Sequence, residues 1–256
     1  MAYERSNNYS YEVALGHADQ ASVVDKFGFN TDIDTTTEEI IASFGGAFDP
    51  TTAIIDTAQT FTITYNNVTD GLGTTGALSL EISYIDENSV DQTSTHILSN
   101  TGSDVTSFTG FGINRVKVLS VGSAGYNTND ITITATTDAT TQALVPATLS
   151  ITQQAIYHNR IDRSFLFDFI YINILKISGG GQQPLVNIYG YAWDRANSVR
   201  YRIFDTDIDT SIENTVVLNM KQPYRIPENH VVYFTAVTDE NNTKVNLRFG
   251  GVTQPE

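Results

Sequence analysis

FLFDFIYINILKI, residues 165–177, is the stretch whose reading decides the fold. Taken as an extended run, it places Phe165, Phe167, Phe169, Tyr171, Leu175 and Ile177 on one face. Leu166, Ile170, Ile172 and Ile174 fall on the other, beside Asp168. Apolar residues on both faces predict a central strand. At 13 residues, with Asp168, Asn173 and Lys176 inside it, the run falls short of the roughly 20 residues a bilayer requires. A soluble protein without a membrane partner is expected.

Working outward, a turn at residues 178–181 (SGGG) with Pro184 leads into residues 185–192 (LVNIYGYA). Val199, Tyr201 and Ile203 then alternate with Arg200 and Arg202, and residues 214–220 (NTVVLNM) add another strand. Residues 231–238 and 244–249 flank DENN at 239–242 and read as a closing hairpin. Seven or eight antiparallel strands in residues 149–256 predict a jelly-roll-like sandwich.

Residues 36–148 repeat the period of two in shorter strands. Leu78, Leu80, Ile82 and Tyr84 alternate with Ser79, Glu81 and Ser83, and Phe61/Ile63/Tyr65 and Ile131/Ile133/Ala135 follow the same rule. Between them lie Asp70-Gly71, NTGSD at 100–104 and GSAGYNTND at 122–130, all rich in turn residues. These features predict a first antiparallel β-sandwich, with the boundary near residues 144–151, where Pro146 interrupts a Thr-rich run. In residues 35–48, Thr37 is placed to cap one helical turn, with Glu38 and Glu39 at its positive end and Gly45-Gly46 to stop it. Residues 1–35 show little periodicity and are expected to form an irregular N-terminal arm. The pentapeptide TDIDT occurs at both 31–35 and 206–210. The fold class is therefore all-β, two antiparallel sandwiches preceded by an arm.

Composition agrees with that class. Of 34 threonines, 26 lie in residues 1–150, and β-branched Thr suits a half-solvated sheet face. Net charge is −15, and it is unevenly placed. Residues 1–150 hold four basic and 18 acidic side chains, a net of −14; residues 151–256 hold ten and 11, a net of −1. Such acidity repels phosphate backbones and no basic stripe offsets it, which excludes a nucleic-acid partner. The absence of cysteine excludes thiolate nucleophiles, disulfides and cysteine metal sites. Residues 1–10 lack the apolar run of a secretory signal.

Asp32-Ile33-Asp34 and Asp205-Thr206-Asp207-Ile208-Asp209 offer hard oxygen ligands, but an EF-hand needs Gly at its sixth position and Glu at its twelfth. Those positions hold Thr210 and Val216 counted from Asp205, and Thr37 and Ser43 counted from Asp32. Solvated acidic turns are the better reading. His17, His96, His158 and His230 show no HxxxH or HxH spacing, and no GxSxG, P-loop or GxGxxG occurs. Gly179–Gly181 lacks a following Lys and reads as a turn. No catalytic, cofactor-binding or metal residue is assigned, and no enzymatic activity is expected. Tyr189, Tyr191, Trp193 and Tyr201 could stack on sugars, although packing in a core or subunit contact is the better reading. Arg195, Arg200 and Arg202, with Arg160 and Arg163, form the one basic concentration. Together with Trp193, the first three are the candidate subunit-contact residues, placed to meet acidic surface on a neighbouring copy.

Two segments resemble a known family. KFGFNTDIDTTTEEIIASFGGAFDP at 26–50, with its GxNxDxD-type turn, and IPENHVVYFTAVTDENNTKVNLRFGGV at 226–252 are similar to segments of virion structural proteins of marine tailed bacteriophages. Phe44 departs from the less bulky or polar residue expected before the glycine pair. The resemblance implies a non-catalytic particle component of the capsid decoration or cement type, made in the host cytoplasm and carried on the virion exterior. It implies major capsid protein and other virion proteins as partners, and a homotrimer is the expected assembly. A tail or fibre adhesin binding a host receptor or glycan is the alternative.

Overall fold

The computed structural model describes residues 9–16, 20–177 and 183–256; residues 1–8, His17 and the glycine turn at 178–181 lie outside the described residues. The chain opens with α1 (Tyr9–Ala14), β1 (Ser22–Ile33), β2 (Glu39–Ile40) and α2 (Pro50–Ala53). The Thr-rich stretch supplies β3 (Phe61–Thr64), β4 (Ala77–Asp86), β5 (Asp91–Ile97), β6 (Ser103–Val105), β7 (Gly110–Val121), β8 (Ile131–Ala135) and β9 (Thr141–Val145). The remainder supplies β10 (Ile156–His158), β11 (Arg163–Lys176), β12 (Leu185–Asp194), β13 (Val199–Asp209), β14 (Thr215–Ile226), β15 (His230–Thr238) and β16 (Thr243–Pro255).

Eight of these strands form two facing sheets, in the orders β1-β16-β11-β14 and β10-β15-β12-β13. Within that set, taken in chain order, the first strand pairs with the last, the second with the seventh, the third with the sixth and the fourth with the fifth, all antiparallel. A long hairpin ribbon rolled over itself gives this pairing, and it defines a jelly roll. Phe165, Phe167, Ile170, Ile172 and Ile174 of β11 fill the space between the sheets with Leu247, Phe249, Val186, Ile188 and Phe234. The rings of Phe234 and Phe249 meet across it at 4.8 Å.

The predicted central strand exists, but its faces are not those of strict alternation. A bulge between Phe167 and Phe169 shifts the register against both β14 and β16. Phe165 and Phe167 therefore join Ile170, Ile172 and Ile174 inside, whereas Leu166, Phe169, Tyr171 and Leu175 turn outward. One inserted residue flips the face of everything after it. Opposite the bulge stand Gly250 and Gly251, and a β-carbon on Gly251 would collide with the Leu166 carbonyl oxygen.

The jelly roll takes its first strand from residues expected to be an irregular arm. β1 runs 12 residues and pairs with β16 from Ser22↔Thr253 to Ile33↔Thr243. A second correction concerns residues 35–48, where no helix forms. Ile40 and Ile41 are buried, and residues 39–40 pair with β15 as a short strand. The glycines turn the chain back with positive φ angles of 54° and 87°, and the capped helical turn comes later, at α2, where Asp49 accepts from Thr51 N. Third, β15 and β16 are not a hairpin: the DENN connection carries the chain from one sheet to the other.

Between α2 and β10 the chain leaves the jelly roll to build a second sandwich from sheets β6-β3-β8-β9 and β5-β4-β7. Phe61, Ile63, Leu80, Ile82, Ile113, Val116, Ile131 and Ile133 are its buried core, as the alternation predicts for most of them. Asp70, fully buried, pins its loops by accepting from the backbone of Ala77, Thr128 and Asn129 and from the Thr128 hydroxyl. Both TDIDT copies lie at the end of a strand: Ile33 and Ile208 are buried, and Asp34 and Asp209 each accept from the backbone N–H two residues on.

Overpacking a core position costs about 1–3 kcal/mol, and the carbonyl facing Gly251 belongs to a ladder that cannot yield like a side chain. Gly251→Ala is expected to reach the upper end of that range in urea unfolding. A midpoint unchanged from the parent would show that the bulge tolerates a side chain.

Candidate functional site

Two places gather the chemistry that the sequence singled out. The first is the outer face of the β10-β15-β12-β13 sheet, where Tyr189, Tyr191 and Trp193 project from β12 and Tyr233 from β15. This face is covered by the chain's own residues 40–54: Ile40, Ala42 and Ile54 pack against Tyr191, Trp193 and Tyr233, with Phe44 and Phe48 at the rim. Trp193 is 7% exposed, so it packs within its own chain and lines no open aromatic groove. Phe44 has a packing role in this cover.

Arg200 and Arg202 emerge from the edge strand β13 and lie over the tyrosines. The guanidinium carbon of Arg200 is 4.6 Å from the Tyr191 ring centroid, and that of Arg202 is 4.5 Å from the Tyr189 centroid. Arg202 also binds Asp205 at 2.8 Å. Behind them, Glu38 accepts from the Tyr191 hydroxyl at 3.1 Å and from Thr235 at 3.0 Å. Burial is the main force pushing the Tyr191 phenol up from its ordinary range, with the Glu38 charge adding to it. Stacked guanidiniums keep their in-plane N–H groups for other acceptors.

Arg195 belongs to the second place, the seam between the sandwiches. Its Nη2 lies 2.7 Å from Nδ1 of buried His158, and its guanidinium is 5.5 Å from the ring of Phe111, which β7 of the inserted sandwich carries. Arg195 therefore serves a contact within its own chain. Burial lowers its pKa to about 10, and burial followed by the Arg195 charge holds His158 well below the usual imidazole range. Asn114 locks the seam by accepting from His158 N at 2.8 Å and donating to His158 O at 3.0 Å. Gly112 admits this approach, since a β-carbon there would strike the His158 ring. Arg160 pairs with Asp162 at 3.2 Å, and Arg163 stands beside Asp91.

Lys26 escaped the sequence reading. From β1 it crosses the seam to donate to the Asn114 carbonyl, and burial, reinforced by Arg115, pushes its ammonium down to about 7. It lines a groove of about 430 Å³ between the two sandwiches. Its signal in the sequence was scarcity: Lys26 is one of only four basic residues in the first 150.

The acidic clusters are otherwise engaged. Asp34 and Asp209 close turns, Asp32 accepts from Asn242 N, and Asp205 holds Arg202. Hydrogen bonds from Thr36 and Ser211 hold the Asp34 and Asp209 carboxyls below their ordinary range. Among the described residues no three His, Asp or Glu side chains gather as a metal site, and no helix is long and apolar enough to cross a membrane.

No family model matches the chain, and no curated protein matches it. Solved structures similar to it include T=1 particles derived from infectious bursal virus, at 8% identity and a TM-score of 0.25, over 92% of this chain and 69% of that one. A second is the Gt strain of infectious bursal disease virus, at the same identity and score, over 92% of this chain and 72% of that one. Likeness at that level assigns neither ancestry nor activity.

A buried base with a depressed pKa binds fewer protons folded than unfolded, so stability rises with pH between its two values. For Lys26 that window runs from about 7 to the ordinary 10.5. Lys26→Met is expected to flatten the rise across it and to raise Tm at pH 7, by about 2–4 °C for each kcal/mol of burial cost removed. Thermal melts of both proteins from pH 6 to 10 measure this; parallel curves would mean the ammonium is hydrated.

Proposed function

We propose that this chain is a non-enzymatic structural protein of a tailed-phage particle, a capsid decoration or cement protein that binds major capsid protein on the virion exterior. One observation carries the reading. Among the described residues the outer edges of β13 and β14, each the last strand of its sheet, have no ladder partner, and both strands are largely exposed. Val199, Tyr201, Val217, Leu218 and Tyr224 are exposed there, interleaved with Arg200, Arg202, Lys221 and Arg225. Long edges with accessible apolar side chains invite pairing with another chain, and aromatic and arginine side chains are the residues that interfaces enrich.

The resemblance of residues 26–50 and 226–252 to phage virion proteins supplies the particle. In this reading the stacked arginines of one copy face the acidic inserted sandwich of the next, and a trimer closes the ring. The adhesin alternative predicts an exposed aromatic groove around Trp193; residues 40–54 pack over that face, which favours the decoration reading.

Mass spectrometry of purified particles is expected to find the chain, and cryo-EM to place it on the head at hundreds of copies. Absence from the particle would sink the proposal. A few or a dozen copies would move the protein to the neck or tail. Arg200→Glu with Arg202→Glu is expected to abolish particle binding while leaving the melting temperature within a few degrees, because both side chains are exposed.

A further inference from the structure

The groove between the sandwiches has one wall made of strand edge. Six consecutive residues of β1, 22–27, line it, and among the described residues β1 ends its sheet with β16 as its one ladder partner. An edge strand turns alternate backbone N–H and C=O groups away from its partner. Across the groove stand Asn114 and Arg115 of β7, with Thr152 and Gln154 beneath.

Charge here runs against the rest of the segment. Two of the four basic residues in the first 150, Lys26 and Arg115, line this groove. The lining holds two carboxylates, and both have cationic neighbours: Asp25 is bound by Arg248 at 2.8 and 2.6 Å, and Asp91 lies beside Arg160 and Arg163. Lys26 makes no ion pair among the described residues, and Arg115 reaches Glu81 only at 3.6 Å. Lys26 is buried against the Asn114 carbonyl, so the half-exposed guanidinium of Arg115 is the cation that faces the opening.

A further observation points to a ligand with N–H donors. Gln154, 2% exposed, donates through Nε2 to the Ile113 carbonyl at 2.9 Å, while its Oε1 is buried without a hydrogen-bond partner. A buried acceptor left unpaired is destabilising, and Gln154 lines the groove that a backbone amide would enter.

We propose that the groove takes an extended polypeptide segment carrying acidic side chains, added as a further strand along the free edge of β1. Main-chain hydrogen bonds supply the affinity in this mode and side chains the selectivity. Six residues of edge span about 20 Å, the length of a hexapeptide. The inference stands on the groove and is independent of where the protein resides.

The test uses the whole chain and a fluorescein-labelled hexapeptide of alternating glutamate and valine, read by anisotropy. Saturable binding is expected, weakened about tenfold or more by Arg115→Glu, whose half-exposed position leaves folding intact. A lysine-valine peptide and a glutamate-valine peptide N-methylated at alternate amides are expected not to bind. No saturation with the acidic peptide would overturn the proposal. Equal binding of the lysine peptide would remove the charge argument, and equal binding of the methylated peptide would make the groove a plain anion site; either result also overturns it.

Discussion

The ladder between β1 and β16 ties residues 22–33 to residues 243–255, and the rest of the architecture hangs from that closure. β16 lies between β1 and β11, so its loss would leave β1 without a ladder partner and β11 paired with β14 alone, opening the sheet. Closing a loop of this length comes late and is entropically costly, which makes the topology slow to form compared with local hairpins. Once closed, the first and second ribbon strands are held near one another, and a whole sandwich can be inserted between them. The insertion uses the connection where a jelly roll otherwise has a simple loop.

Because the insertion begins and ends at one side of the jelly roll, its docking is settled by a small seam. That seam is polar. Asn114 and His158 exchange hydrogen bonds, Gln154 reaches Ile113, and Arg195 caps the His158 ring. Polar networks in enclosed places add less to net stability than apolar packing of equal area, but they accept one geometry and reject others. Among the described residues neither buried base has a carboxylate within ion-pair distance: Lys26 donates to the Asn114 carbonyl, and Arg195 meets His158 and the Phe111 ring. The groove beside it is the part of this contact that the two surfaces leave unfilled.

Much of the fold was legible in the sequence, and the failures have physical causes. Phe61/Ile63 and Ile131/Ile133 alternate without interruption and are buried as read. The 165–177 run was legible as a strand but not in its faces, because a bulge has no composition of its own; only the Gly250-Gly251 pair, 80 residues away, signals it. β1 was missed because Gly28, Asn30 and the charged Asp25 and Lys26 break its apolar period. Each has a structural reason: Gly28 admits the backbone of Ile41 and Ala155, and Asn30 binds Glu39 and the Ile40 carbonyl. The four-residue DENN connection could serve a hairpin or a sheet-to-sheet crossing, and length alone does not separate them. Trp193 was identifiable as packing rather than a sugar platform, but its cover, residues 40–54, lies too far away in sequence to be inferred.

Arginine placement separates the two surfaces by kind. Arg195 is enclosed and its cost is already borne within the chain, so it contributes to the fold and not to recognition. Arg200 and Arg202 lie over Tyr191 and Tyr189, and Tyr191 is itself held by its hydrogen bond to Glu38. Such side chains have lost most of their rotamer freedom before any partner arrives, and the ordering penalty of association falls accordingly. Part of the −14 of the first 150 residues lies beside them, where Glu38 accepts from the Tyr191 hydroxyl and Asp49 lies near Arg200. A contact that joins unlike faces is heterologous, so it propagates until its rotation closes a ring. The proposed trimer requires a contact of that kind, with the arginine pair of one copy meeting acidic side chains of the next.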